Sequence, residues 1–380
     1  MSTETFGQAL RRLRTARGLS LADLGKLVNY DRRTIWDFEQ GRRIPVPDAV
    51  EALDRALGAA GHLVQLAAAT TMKAPSIPGL PDWADSERLA AGINGTAAPD
   101  TSMRDYLAQA LALQRGAEDT AGAAVVLTPT LGQFTAVDAL RAAAEGPLHR
   151  DLLSLEAQYA QFLGWLHQDL GDRGASEQWY ARALMLAHEA GDDNMIASIL
   201  SMRSNAAWGA GDLRRAVDLG EAAGRPRNAT PGVLAFSRQQ AARAYAATGD
   251  HREAEVALDD AARLSECASR DPEREPPWVY FLDEARVELQ RALVLRELGR
   301  YDRAAELFRR ALRRLPAQYR RDRGQNLARL ALTLALAGER EEASAVADEA
   351  RLLASQTHSD RTSAELAQVD DVLRRKLVTD

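Results

Sequence analysis

Cysteine is almost missing from this chain: Cys267 is the only one in 380 residues. No intrachain disulfide can form, which fits a reducing, cytoplasmic setting. Histidine is sparse as well. His62, His149, His167, His188, His251 and His358 are dispersed and make no ligand cluster, so no metal is expected. There is no CxxC pair, P-loop, G-x-G-x-x-G or G-x-S-x-G. Acidic residues are plentiful, but on amphipathic helices they form solvated faces and i,i+4 pairs. Neither an enzyme nor a cofactor is expected. No apolar run approaches the ~20 residues of a membrane helix. The opening MSTETFGQALRRLR lacks the apolar core of a signal peptide. No membrane partner is expected.

Basic surplus is missing too. The net charge is −6, so the chain as a whole is no generic polyanion binder. The charge is uneven, however. Residues 1–70 hold ten Arg and Lys against eight Asp and Glu, a surplus of two that leaves −8 for the rest. A mildly basic head on an acidic body suits a nucleic-acid reader with a separate regulatory part. Hydrophobic content of 46% is enough to bury real cores.

Three zones follow from the patterning, all of the regular structure being helical. Residues 1–70 carry apolar residues at helical spacing, among them Phe6, Leu10, Leu24, Ile35, Phe38, Leu53 and Leu57. Residues 71–100 hold Pro75, Pro78, Pro81 and Pro99 with several glycines, a linker composition in which no packed element is expected, although Trp83 could dock locally. Residues 101–380 repeat a unit. Gly171, Gly211, Gly249, Gly299 and Gly338 each sit between two amphipathic helices, 40, 38, 50 and 39 residues apart. Five residues after each glycine stands Ser176, Ala216, Ala254, Ala304 or Ala343. Twelve after stands an alanine every time, and seven before stands Gly164, Ser204, Ala242, Ala292 or Ala331. Small residues at fixed offsets let paired helices approach closely. The unit resembles the tetratricopeptide repeat, best in LQRALVLRELGRYDRAAELFRRALRRLP, Leu289–Pro316. The resemblance implies an α-solenoid with a concave groove and no catalytic machinery. The long gap is assigned to an insertion at Ala268–Trp278. Two or three helices of a degenerate first unit are expected in 103–145, and a polar capping helix in 359–378.

Within the head, GLSLADLGKLVNYDRRTIWDFEQGRRIP reads as helix, tight turn, helix and basic exit. Ser20 suits an N-cap, Asn29 a left-handed turn, Asp31 the cap of the next helix. Together with Leu10, Leu13, Arg14, Leu24, Thr34, Ile35, Glu39, Gly41 and Pro45, this segment resembles the Xre/Cro-type helix-turn-helix of phage repressors and bacterial regulators. That implies a five-helix head in which Arg14 and Glu39 form a buried structural ion pair. DNA-facing positions would be Arg17, Ser20, Asp31, Arg32, Arg33, Thr34, Trp36, Asp37, Gln40, Arg42 and Arg43. Arg32 and Arg33 suit guanine O6/N7, and Arg42 and Arg43 suit phosphates. Leu21 departs from the family's usual glutamine, and Trp36 and Asp37 are also unusual there.

A head of this kind followed by tetratricopeptide repeats resembles the peptide-responsive RRNPP-type regulators of Gram-positive bacteria, used in quorum sensing. The resemblance implies a cytoplasmic homodimer on double-stranded, pseudo-palindromic operator DNA, regulated by a peptide or small-molecule effector in the groove. Groove-facing candidates are Gln161, Trp165, Asn205, Trp208, Gln239 and Arg243, each equally readable as ordinary packing. Two alternatives stay open. One is a constitutive repressor whose repeats only dimerise or recruit a protein. The other is a repeat scaffold with a vestigial head.

Overall fold

The computed structural model describes residues 6–28, 30, 32–39, 45, 47–64, 66, 83–279, 284–316 and 318–375. Of the helical residues 37, 47, 48, 83–86 and 284 it describes the backbone alone. Among the described residues every regular element is helical. The chain divides into two compact units, Met1–Arg88 and Leu89–Asp380, each with its own core.

Among the described residues the head has helices α1 Phe6–Ala16, α2 Leu21–Val28, α3 Arg32–Glu39 and α4 Pro47–Leu57, and helical backbone again at 62–64 and 66. Leu10, Leu24, Ile35, Phe38, Leu53 and Leu57 meet in the middle, each at most 2% exposed. The start of α2 is set by a reciprocal cap. Ser20 Oγ accepts from the Asp23 amide at 3.1 Å, and the Asp23 carboxylate accepts from the Ser20 amide at 3.2 Å. Buried Asp54 ties down the turn after α4, accepting from the amides of Gly61 and Leu63 at 2.8 and 2.9 Å.

The second unit begins at Leu89, earlier than the proline pattern suggested. A helix, α5, runs Trp83–Ile93 inside the expected linker. Leu89 and Ile93 pack on the core that follows. At Gly92 a Cβ would fall 2.7 Å from Met103 Sδ, so the helix approaches its neighbour through a bare backbone. Proline density stopped at Pro81, and the apolar residues after it were enough to form a packed helix.

Two helices then form the leading unit, α6 Thr101–Ala121 and α7 Ala123–Ala143. By length and composition α7 could cross a membrane, which corrects the expectation that no segment could. Pro129 interrupts its polar-poor sequence. Its Val126, Phe134, Val137 and Leu140 are buried in the protein core instead.

Five helix pairs follow: α8 Gly146–Asp169 with α9 Arg173–Ala190, α10 Asp193–Gly209 with α11 Leu213–Ala223, and α12 Pro231–Thr248 with α13 His251–Arg270. The last two are α14 Glu284–Glu297 with α15 Tyr301–Arg314, and α16 Arg320–Ala337 with α17 Arg340–Thr357, capped by α18 Asp360–Arg375. The five turn glycines all adopt left-handed φ, between 72° and 97°, a region that costs other residues a Cβ clash. In the first three pairs the next residue, Asp172, Asp212 or Asp250, caps the following helix through its carboxylate. Small residues on the repeat offsets are buried where the helices of a pair cross. At Gly164 a Cβ would lie 2.6 Å from the Tyr180 ring. Ser176 Oγ donates to the Gly164 carbonyl at 2.8 Å, and in the next pair Ser204 Oγ donates to the Ala216 carbonyl at 2.7 Å. The same two offsets are thus bridged in opposite directions.

The repeats bring their ends together. Helix α6 packs on α16 and α17, and α18 packs on α8. Gly122 makes the closest of these approaches: a Cβ there would lie 2.1 Å from the Thr357 carbonyl oxygen. The insertion is not a plain loop. Two short 3-10 turns, Pro272–Arg274 and Pro277–Val279, fold back, and Trp278 is buried with its Nε1 donating to Ser198 Oγ at 3.1 Å.

Candidate nucleic-acid interface and ligand cavity

In the head, α3 presents two faces. Ile35 and Phe38 turn inward, and Phe38 meets Tyr30 edge-on with ring centroids 5.6 Å apart. Glu39 reaches back to α1, where Arg14 grips it with two bonds, Nε to Oε1 at 2.5 Å and Nη2 to Oε2 at 3.1 Å. Arg14 also donates to the Leu19 carbonyl at 2.8 Å, fixing the turn before α2. The hydrogen bond to Glu39 raises the Arg14 pKa in spite of partial burial. At Gly7 a Cβ would lie 2.5 Å from the Glu39 carbonyl oxygen, so α1 and α3 touch backbone to backbone.

The outer face of α3 carries exposed Arg32 and Arg33, with Trp36 37% exposed. These three share one shallow depression with Leu21 at the start of α2. The departure at Leu21 therefore lies beside the residues expected to read bases, as an apolar edge to a cationic face. Thr34 is corrected: it was expected outward, and it is buried because its position follows the inward Ile35 side of the helix. Arg17 is exposed and bends toward the end of α4, donating to the Ala56 carbonyl at 3.4 Å. Ser20 is exposed and engaged in the α2 cap. Asp31, Gln40, Arg42 and Arg43 lie outside the described residues, and of Asp37 only the backbone is described.

In the second unit the first helices of the pairs surround a cavity of about 160 Å³. Gln161, Trp165, Asn205 and Gln239 line it. Trp208 lines an adjoining, wider groove of about 760 Å³, which shares Asn205, Gln325, Arg329 and Arg361 with the cavity. Arg243 lines neither. It is fully buried, its guanidinium 4.3 Å from the Trp208 ring centroid and donating to Gln240 Oε1. A chain of amides links these residues: Gln168 donates to Asn205 at 2.8 Å, and Asn205 to Gln240 at 3.3 Å.

Other residues that line the cavity escaped the sequence reading. Arg115, Glu118 and Asp119 come from α6, Arg321, Asp322 and Arg329 from α16, Trp278 from the insertion, and Arg361 from α18. Arg321 and Arg361 lie against the Trp165 ring, 5.2 and 4.5 Å from its centroid. The one available signal was the four-residue spacing of Arg321, Gln325 and Arg329 in the polar first half of α16, a pattern that reads as a solvated stripe until the ends of the repeat meet.

The charges are split into two districts. Arg321 contacts Glu118, Asp119 and Asp322, at 2.5, 3.0 and 2.9 Å. In spite of its burial, these carboxylates hold Arg321 well above its ordinary pKa. Burial pushes Glu118 up to about 8, with the Arg321 charge opposing and Asp169 and Asp119 reinforcing. Although buried, Asp322 is held low by Arg321 and Arg286. On the other side, burial and the charge of Arg329 push Arg243 down to about 9. Burial likewise pushes Arg329 down to about 10.

Among known families, residues 5–67 match a helix-turn-helix domain and residues 285–317 a tetratricopeptide repeat. No curated protein matches the chain. Among solved structures it is similar to that of Bacillus thuringiensis PlcR in complex with the peptide PapR7 and DNA. The two are 15% identical, the match covers 80% of this chain and 95% of that one, and the TM-score is 0.27. At that score no residue role passes from one chain to the other.

Proposed function

We propose that this chain is a sequence-specific DNA-binding transcriptional regulator, and that its repeat unit senses a ligand in the central cavity. The observation that carries the reading is the matched helix-turn-helix domain whose α3 leaves Arg32, Arg33 and Trp36 exposed while its inner face is locked by Arg14 and Glu39. Arginines at the start of such a helix are placed for bidentate contacts to guanine in the major groove. One small head offers little area, so the reading includes a homodimer on a pseudo-palindromic operator with half-sites about one helical turn apart. It is a cytoplasmic protein in this reading, with neither a catalytic role nor a cofactor. In the proposal the head is residues 1–70 and the repeats fill 101–380, and the segment 71–100 between them carries α5, whose Leu89 and Ile93 pack on the repeat core.

The cavity supports the sensing half. Cations, amides and aromatic rings converge there from seven helices and the insertion, more polar chemistry than a packing core needs. A peptide or small-molecule effector regulates DNA binding only if its affinity differs between two arrangements of the protein. The test is to sequence DNA co-purified from cells expressing the protein, beside mass spectrometry of what travels in the cavity. The reading expects one enriched inverted-repeat site and a bound ligand. Enriched DNA with an empty cavity would favour a constitutive repressor, and no enriched DNA would favour a scaffold.

A further inference from the structure

The cavity is unbalanced in charge and in hydrogen bonding. Five arginines and three carboxylates line it. All three carboxylates gather on Arg321, so the negative charge is consumed on that side. Away from Arg321, Gln239 and Arg329 line one corner of the cavity and Arg243 lies buried behind the wall; none is more than 5% exposed. No ion pair reaches Arg243 or Arg329; their side-chain partners are Gln240 and Asn326, through one bond each. Four donors in this corner have no acceptor: Gln239 Nε2, Arg243 Nε and Nη1, and Arg329 Nε. Buried donors left without a partner cost free energy, and buried charges more, unless something else supplies the acceptor. The buried acceptors in the same state, on Glu118 and Asp169, belong to carboxylates already paired with Arg321 and Arg361. The carboxylates that act on this corner, Glu365 on Arg329 and Glu297 on Arg243, are each ion-paired with Arg296, so the corner lacks an anion in direct contact with its donors.

Size and polarity define the rest. Trp165, Phe162, Phe236 and Trp278 supply apolar wall. A volume of about 160 Å³ takes a single ring, comparable to an apolar cavity of ~150 Å³ that accepts benzene. We propose that the cavity binds a ring-sized organic acid, its carboxylate held by Gln239 and Arg329, which line the cavity, with the buried charge of Arg243 behind them, and its ring against the aromatic wall. This rests on the reading of the cavity as the sensor site. The same chemistry is carried by a free small acid or by the last residue of a peptide whose remainder lies in the adjoining groove.

The test uses the full chain and isothermal titration calorimetry with four probes: 3-phenylpropionate, 3-phenylpropionamide, and the tripeptide Ala-Ala-Phe with a free or an amidated C-terminus. The expected result is at least tenfold tighter binding of a carboxylate than of its amide, in the small-acid pair or in the peptide pair. The pair that shows it identifies the source. Arg329→Met weakens that binding at least tenfold and does not lower the thermal midpoint, because a desolvated charge is removed along with the contact; Arg243→Met, which removes a charge behind the wall, weakens it less. Equal binding of acid and amide in both pairs, no binding at millimolar concentration, or wild-type affinity in Arg329→Met overturns the proposal. Any of these leaves the DNA-binding reading intact, since that reading stands or falls on DNA alone.

Discussion

Arg321 Nε lies 2.5 Å from Glu118 Oε1, although α16 and α6 stand at opposite ends of the repeat unit. The same guanidinium reaches Asp119, a partner 202 residues away in sequence. A solenoid built only from neighbour-to-neighbour contacts would leave these residues in solvent. Here they close the unit and form one wall of the cavity.

Removing the cation from that seam should be costly. Arg321→Met removes the cation shared by buried Glu118 and Asp119 and leaves Asp322 with Arg286, and breaking a buried pair from one side costs about 3–5 kcal/mol. Urea unfolding of the full chain should show the second unit's unfolding free energy lowered by that amount. A loss below about 1 kcal/mol would mean that the seam is open in solution.

Glu118 shares Arg321 with Asp119 and Asp322, and its burial, more than these neighbours, pushes its pKa up. Its pKa rises from 4.5 to about 8 on folding. A raised pKa gives stability that is fully present below about pH 4.5 and lost as the pH climbs to about 8. Glu118→Gln should flatten the fall of stability between pH 5 and 8. Parallel pH profiles for wild type and variant would contradict the assignment.

Much of this was readable in advance because it is local. Gly171 and Asp172, or Gly249 and Asp250, announce a left-handed turn and a cap within two residues. The offsets of Gly164 and Ser176 report a helix crossing within a dozen. Ile35 and Phe38 against Arg32 and Arg33 give the two faces of α3 by period alone. The cavity was only half legible. Gln161, Trp165, Asn205 and Gln239 come from first helices, where the repeat puts a groove. Glu118, Arg321 and Arg361 depend on contacts between distant ends, which no periodicity records. Trp278 sat in an apparent insertion, and Thr34 lay one residue off the face it was assigned to.

Two glycines in long helices should respond oppositely to the same change. At Gly116 in α6 an added Cβ meets nothing within 4 Å, so Gly116→Ala should stabilise by about 0.5–1 kcal/mol. At Gly164 the added Cβ meets the Tyr180 ring, and Gly164→Ala should destabilise by about 1–3 kcal/mol. Chemical unfolding of both variants checks the sign. A stabilised Gly164→Ala would disprove the close crossing of α8 and α9.

The head offers a double-mutant test. Arg14→Met strands Glu39, whose side chain is only 3% exposed, and should cost the head about 3–5 kcal/mol. Adding Glu39→Leu should restore much of that loss, since an apolar pair replaces a buried charge. A double variant no more stable than Arg14→Met would show that the pair does more than hold α1 to α3.

The central claim is that α3 reads DNA, and its most direct measurement is the affinity of the full chain for its selected site as a function of salt. Arg32→Ala and Arg33→Ala should each cost about 1–3 kcal/mol on that site and bring its affinity closer to that for unrelated DNA. Wild-type affinity, an unchanged salt slope and unchanged discrimination in both variants would contradict it.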